Sequence, residues 1–379
     1  MRRARQLKNI LSIVFLLYGF LLSISLLSGA FKLLGKEFAE SLFVHTENPF
    51  VGLFVGILAT ALVQSSSFTT SLVVGLVSAG TLGVQAAVPL IMGANIGTTV
   101  TNTLVSMGHL TRDEEFERAF SGATVHDFFN FMLVMMFLPF EIATGFLRKT
   151  ATWATSLLHG TSSGAEFTSP VKLITKPVVK WMQHFLTGDT STMHFSSQVA
   201  AIVLIVLSLG LLFFCLSGLV KVLRATLTST VENVIDRYVT RSPVFGILLG
   251  FVVTFLVQSS SITTSFMIPL IAANLVQLQQ VFYITMGANI GTTFTSILAS
   301  LAADRPEALT IAIVHFLFNV SGMIIFLAIP ALRVLPPRMA KRFASMAVKS
   351  KRYALAYVLG IFFGLPLVMV LVYNMIKGA

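Results

Sequence analysis

The residues of this chain best equipped for chemistry are uncharged hydroxyls and side-chain amides, and they occur in two matching sets. Gln64-Ser65-Ser66-Ser67, then Phe68, then Thr69-Thr70-Ser71, returns as Gln258-Ser259-Ser260-Ser261, Ile262 and Thr263-Thr264-Ser265. A second phrase follows each copy: Met92-Gly93-Ala94-Asn95-Ile96-Gly97-Thr98-Thr99 recurs without change as Met286-Gly287-Ala288-Asn289-Ile290-Gly291-Thr292-Thr293. Both recurrences, from 64 to 258 and from 95 to 289, are offset by 194 residues, so a whole unit is duplicated.

Such residues bind ions without ionising. If a helix begins just after the triple serine, its first amides carry partial positive charge and the serine hydroxyls join them, which suits an oxyanion. Neither Gln-Ser-Ser-Ser segment contains Lys or Arg, so a bound anion needs its charge balanced by co-bound cations. Neutral oxygens stand ready for those cations at Thr69, Asn95, Thr98 and Thr99, at the matching Thr263, Asn289, Thr292 and Thr293, and at carbonyls freed near Gly93 to Gly97. Sodium suits such ligands, because unwound carbonyls and half-helix C-termini coordinate it in secondary transporters. An oxyanion and Na⁺ bound side by side stabilise one another, and that mutual affinity is a coupling free energy.

Small residues in membrane helices also serve close packing. The pairs Gly52/Gly56 and Gly246/Gly250 fit that simpler role. Three consecutive serines do not, since they circle a helix and cannot all face one neighbour. Asn95 and Asn289 are open to either reading, as one interhelical amide bond accounts for each. A weaker echo, His126-Asp127-Phe128-Phe129-Asn130 against His315-Phe316-Leu317-Phe318-Asn319, places His and Asn inside apolar stretches. His126, Asn130, His315 and Asn319 read as supports that hydrogen-bond the interrupted backbone, as any buried polar group requires a partner. Asp127 has no counterpart, and belongs either near a cation site or at the membrane edge.

The elements that position these residues are membrane helices. The 379 residues are 55% hydrophobic and only 11% charged, with a mean hydropathy of +0.86. Apolar stretches of about 20 residues recur, as spanning helices require, and the short alternating segments of a barrel do not. The expected fold class is all-α and polytopic. The apolar run Ile10 to Ala30 exceeds a signal-peptide core and reads as the first span. A net charge of +11 does not indicate nucleic acid, because the basic residues sit in blocks beside apolar spans. The single Cys215 excludes an internal disulfide.

Pro49 to Gly80 is too long for one span and too short for two, at 1.5 Å per residue and a core of about 30 Å. It reads as a re-entrant or broken hairpin with Gln64-Ser65-Ser66-Ser67 at its tip, and Pro243 to Asn274 repeats it. Val84 to Met107 and Val281 to Leu301 are spans interrupted by the Asn-Gly phrase, followed by crossings Ala119 to Phe140 and Leu309 to Ala331. The organisation expected is a first repeat over 1–140, an interfacial connecting segment over 141–197 with amphipathic helices, a second repeat over 198–332, and over 333–379 a basic connector with one extra helix. Lys221 to Arg241 is expected as a charged connector. With a cytoplasmic N-terminus and each hairpin returning to its starting side, seventeen of the 26 Lys and Arg lie in the cytoplasm, in accord with the positive-inside rule. The two repeats then have opposite topology, the arrangement of secondary transporters with broken helices at the midplane.

On these residues the sequence resembles the type II sodium-phosphate cotransporter family, whose members carry Gln-Ser-Ser-Ser in each of two inverted repeats, each followed by a Gly-Ala/Ser-Asn-Ile-Gly-Thr phrase. The resemblance spans roughly Pro49 to Pro139 and Pro243 to Pro330. It implies a phosphate site at Gln64, Ser65, Ser66, Ser67, Gln258, Ser259, Ser260 and Ser261, and uptake of inorganic phosphate with co-transported Na⁺. It also implies a bacterial member without the soluble helical regulatory domain that some relatives carry after the last span. The expectation is a non-enzymatic symporter of the inner membrane, working by alternating access, with Ser66→Ala or Ser260→Ala abolishing uptake. Inorganic phosphate, Na⁺ and the lipid bilayer are its partners, nucleic acid is not, and a homo-oligomer is left open. Other readings are a Na⁺-coupled carrier of sulfate or arsenate, an ion channel, or a membrane hydrolase, though the last lacks Gly-x-Ser-x-Gly.

Overall fold

A computed structural model describes residues 2–34, 48–159, 170–187, 195–238, 242–303 and 305–378. All regular structure among them is helical. Helices α1 (Arg2–Leu34), α2 (Pro49–Val63), α3 (Ser66–Ala79), α4 (Val84–Gly97), α5 (Val100–Ser106) and α6 (Asp113–Thr144) make up the first half. Two shorter helices, α7 (Phe146–His159) and α8 (Pro170–Thr187), connect it to α9 (Ser197–Tyr238), α10 (Pro243–Val257), α11 (Ser260–Ala272), α12 (Leu278–Leu301) and α13 (Pro306–Ala328). The chain closes with α14 (Pro330–Lys349), α15 (Arg352–Leu359) and α16 (Leu365–Gly378). Six helical stretches among the described residues are long and apolar enough to cross a membrane, the last running from α15 through α16, and α2, α3, α10 and α11 are short apolar arms. The protein is therefore a helical membrane protein.

Each hairpin is built by the same local chemistry. Asn48 caps α2, accepting from the amides of Phe50 and Val51, and its counterpart 194 residues on, Ser242, caps α10 through the Phe245 amide. Proline follows at the first helical position in both, where its missing N–H costs nothing. The arms end on Gln64 and Gln258, both left-handed, with φ of 56° and 58°. Ser65 and Ser259 are then extended and cap the next arm, accepting from the amides of Phe68 (3.2 Å) and Ile262 (3.4 Å). A left-handed closing residue followed at once by a serine cap is a compact way to break a helix and restart it.

The Asn-Gly phrase behaves differently from expectation. α12 runs unbroken through Gly287 to Thr293, and α4 runs through Gly93 and Asn95 to Gly97, with a break only at Thr98–Thr99. No carbonyl is freed by a break in the second copy, whereas in the first the turn at Thr98–Thr99 releases the Asn95 carbonyl, which accepts from the Asn130 side chain. The glycines are needed for proximity: a Cβ on Gly93 would land on the Leu53 carbonyl oxygen, and one on Gly56 on that of Leu90. The repeat reproduces this at Gly287 against Ile247 and Gly250 against Ile284. Each outer hairpin arm is therefore pressed backbone to backbone on its Asn-Gly helix, consistent with the packing role expected of Gly56 and Gly250.

α6 and α13 cross in opposite directions at the centre. Phe129 meets Phe326 edge to face at 4.9 Å and Phe137 meets Phe318 at 5.6 Å, while Gly322 sits directly under Leu133. These are reciprocal pairs under the 189-residue offset of the His-Phe-Asn echo. α1 runs antiparallel along α9, with Gly19 against Cys215 and Gly218 against Leu16. Both expected connectors are helical instead: α9 continues past its apolar span to Tyr238, and the basic segment forms α14 along α6, where Phe343 reaches Phe120 at 5.4 Å. Helix propagation needs no polarity change, so a charged segment in register extends the helix it follows. The last crossing is interrupted by a π turn over Gly360–Gly364. α7 and α8 are amphipathic and expose Trp153, Leu158, Trp181 and Phe185, the composition of helices lying at an interface.

Candidate functional site

The two hairpin tips meet. Ser67 Oγ donates to the Gln258 carbonyl at 3.2 Å and lies 3.4 Å from Thr295 Oγ1, and Thr295 Oγ1 donates to Gln258 Oε1 at 2.9 Å. Beside this contact is a cavity of about 630 Å³, lined by Gln64, Ser65 and Ser67 of one tip and Gln258, Ser259 and Ser261 of the other. Its remaining walls are Thr101 and Val105 of α5, Phe213, Leu216 and Ser217 of α9, and Ser265, Phe266 and Pro269 of α11, with Val63, Phe68 and Ile262 near the tips. At about 30 Å³ per water it has room for roughly twenty waters, or a hydrated oxyanion with companion ions.

Its electrostatics come from backbone, since none of the lining residues is charged. α3 and α11 both begin here, and each presents a partial positive charge of about half a unit from unsatisfied first-turn amides. α2 and α10 both end here, and their last carbonyls supply partial negative charge beside it. Each tip therefore offers an anion-binding end and a cation-binding end side by side, with serine hydroxyls that donate to one and accept from the other.

The triple serines divide by face. Ser65, Ser67, Ser259 and Ser261 reach the cavity wall. Ser66 and Ser260 do not: Ser66 Oγ accepts from Thr98 Oγ1 at 2.6 Å, and Ser260 is 2% exposed with its carbonyl bonded by Thr264. The residues expected to hold sodium are buried around the tips. Thr69 and Thr263 donate to the carbonyls of Ser65 and Ser259, both at 3.2 Å, and Thr99 and Thr293 to those of Ile96 and Ile290. Thr292 Oγ1 is buried with no hydrogen-bond partner among the described residues.

Asn95 and Asn289 belong to a polar network that joins the two halves. His126 Nε2 lies 2.7 Å from Asn289 Oδ1, Asn289 Nδ2 donates to Asn130 Oδ1 at 2.8 Å, and Asn130 Nδ2 donates to the Asn95 carbonyl at 2.6 Å. From His126 Nδ1 it passes at 3.3 Å to Asn102, whose Oδ1 accepts from Thr264 and Ser265 of the second hairpin, both at 2.9 Å. The matching cluster is less complete: His315 Nδ1 meets Ser296 Oγ at 3.1 Å, but His315 Nε2 and Asn319 Oδ1 are buried without a partner among the described residues. Asp127 is fully buried. Its Oδ2 accepts from Tyr357 at 2.8 Å and Thr103 at 3.5 Å, and its Oδ1 has no partner among the described residues.

Sequence reasoning missed Thr101 and Thr295, although both keep their type under the 194-residue offset. It also missed Asn102 and Tyr357, for which no repeat signal exists, because the matching position of Asn102 is Ser296 and Tyr357 lies outside the duplicated unit.

Comparison with known proteins agrees with this architecture. The family model described as Na+/Pi-cotransporter matches residues 19–160 and 211–370. The chain is 34% identical over 436 residues to sodium-dependent phosphate transport protein 2B of Homo sapiens, covering 93% of this chain and 63% of that protein. It is 36% identical over 417 residues to sodium-dependent phosphate transport protein 2A of Rattus norvegicus, covering 92% of this chain and 65% of that protein. The chain thus spans slightly less than two thirds of the length of these relatives. No solved structure matches it. With a family model that covers both halves and identity sustained across nearly all of its length, the chain belongs to the Na+/Pi-cotransporter family.

Proposed function

We propose that the protein is a sodium-coupled symporter of inorganic phosphate, and not an enzyme, with its site between the two Gln-Ser-Ser-Ser tips. The observation that carries this reading is the uncharged cavity where two helix N-termini, two helix C-termini and four serine hydroxyls converge in a member of this family. A multivalent oxyanion has no Lys or Arg to receive it there, so it binds only when cations enter with it, and this is the physical content of coupling. Gln64, Ser65, Ser67, Gln258, Ser259 and Ser261 contact phosphate in this reading. Ser66 holds its tip in place from behind through Thr98, Ser260 lies behind the other tip, and the surrounding hydroxyls and carbonyls, Thr292 included, serve Na⁺. The His126–Asn289–Asn130 network supports them.

The repeats, 1–140 and 198–332, are read as inverted, joined by 141–197 and followed by 333–379. The antiparallel, reciprocal packing of α6 and α13 supports an axis between them that lies in the membrane plane. The positive-inside count supports an inner-membrane protein with a cytoplasmic N-terminus. Labelled phosphate uptake into proteoliposomes, with and without a Na⁺ gradient and an imposed voltage, tests the proposal. Saturable uptake that requires Na⁺ is expected. Uptake unaffected by removing Na⁺ rejects coupling, and sulfate displacing phosphate at lower concentration than phosphate itself reassigns the substrate.

A further inference from the structure

The two tips share one sequence phrase yet differ in conformation. Gln258 is buried, 6% exposed, and held by Thr295 and by its own bond to the Phe255 carbonyl. Gln64 is exposed on the cavity wall, and its side chain makes no hydrogen bond among the described residues. Thr295 touches both tips, whereas its mate Thr101 lines the cavity with a hydroxyl that has no partner among the described residues. Ser67 donates across to Gln258, whereas Ser261 faces the cavity. The open side is walled by Val105, which precedes Arg112, and by Ser217, which precedes Lys221, so it faces the membrane side that carries the basic segments. On the other side the mate of Val105 is Ala299, which is fully buried.

We propose that Thr295 and Thr101 are alternating positioning residues for the tips. Thr295 closes one side of the site by holding Gln258 and Ser67, and Thr101 closes the other side by holding Gln64 and Ser261 after Thr295 lets go. The proposal deepens the symporter reading and rests on it. Applying the 194-residue offset to the observed contacts gives the second set: Thr101 Oγ1 to Gln64 Oε1, and Ser261 Oγ to the Gln64 carbonyl. Every atom needed for it is present and unengaged among the described residues. Neither threonine need touch phosphate. Each decides which side of the cavity is shut by fixing the glutamine at one tip.

The test uses the full chain in a Cys215→Ala background with single reporters, Val105→Cys on the open wall and Ala299→Cys on the closed one, labelled by a membrane-impermeant maleimide from each side of sorted vesicles. Thr295→Val is expected to raise labelling at position 299 about tenfold and lower it at 105, the population shift expected when one of two states loses a buried hydroxyl with two contacts. Thr295→Ser, which keeps the hydroxyl, restores the parent pattern, and Thr101→Val shifts labelling the opposite way. Labelling rates within twofold of the parent in both Val variants, or a shift in the same direction in both, overturn the proposal. Should Thr295→Val fail to insert, the direction of the Thr101→Val shift decides. Labelling requires no phosphate, so flat labelling with intact Na⁺-dependent uptake removes the alternating pair alone. Opposite shifts in a protein that does not take up phosphate uphold the pair and reject the substrate.

Discussion

Ser261 and Ser260 are adjacent and identical in type, yet only Ser261 has its side chain on the cavity wall. Ser261→Ala is expected to raise the KM for phosphate at least roughly tenfold, as the loss of one hydrogen bond to a charged ligand in the proposed site is worth about 1.5–3 kcal/mol. Ser260→Ala is expected to leave KM within about twofold, because its hydroxyl is not offered to the ligand; the two measured in parallel test the facing of the tip. The Asn130 amide is a different case, since it satisfies Asn289 and the Asn95 carbonyl at once. Asn130→Ala strands two buried polar groups at about 1–3 kcal/mol each. A lowered unfolding midpoint in detergent is expected, together with a positive coupling energy to Asn289→Ala in a double-mutant cycle.

At the scale of elements, each outer arm is clamped to its Asn-Gly helix through glycine. Gly287→Ala puts a methyl onto the Ile247 carbonyl oxygen, which is backbone and cannot rotate away. Destabilisation by at least about 1–3 kcal/mol is expected from overpacking, read as a drop in thermal midpoint, and Gly93→Ala should match it because its contact is the same. Gly83, with open space around its Cβ direction, is the control: Gly83→Ala should fall close to the parent. Arms held so rigidly move as a unit with their partner helix, which concentrates any change of shape at the tips and at the crossing of α6 with α13.

For the whole molecule, the reciprocal phenylalanine pairs along α6 and α13 are compatible with the proposed centre about which the halves exchange. In the proposed inverted arrangement, Glu114 at the start of α6 and Glu307 at the start of α13 belong to opposite membrane faces. Glu114→Cys and Glu307→Cys are expected to label from opposite sides of sealed vesicles, Glu114→Cys from the side of the basic segments. Labelling of both from one side removes the inverted arrangement, and with it the exchange of closed sides between Thr295 and Thr101.

The amino-acid order by itself determined that this is a helical membrane protein, that a unit of it is doubled, and where each Gln-Ser-Ser-Ser hairpin breaks. Those properties are written in local composition and in fixed offsets: Gln-Ser closes one arm and caps the next wherever it occurs, and apolar length sets what can span. It misread the Asn-Gly phrase because glycine gives the same signal whether it loosens a backbone or lets two backbones touch; the position of Leu53 and Ile247 decides. Nor does a repeat reveal which serines of three face the cavity, or that Gln64 is open while Gln258 is shut. The two copies have the same residues at those positions, so their difference arises from the contacts around them, those of distant segments above all. Only the tertiary structure, by seating Thr295 against one tip and leaving Thr101 facing an open cavity, distinguishes them.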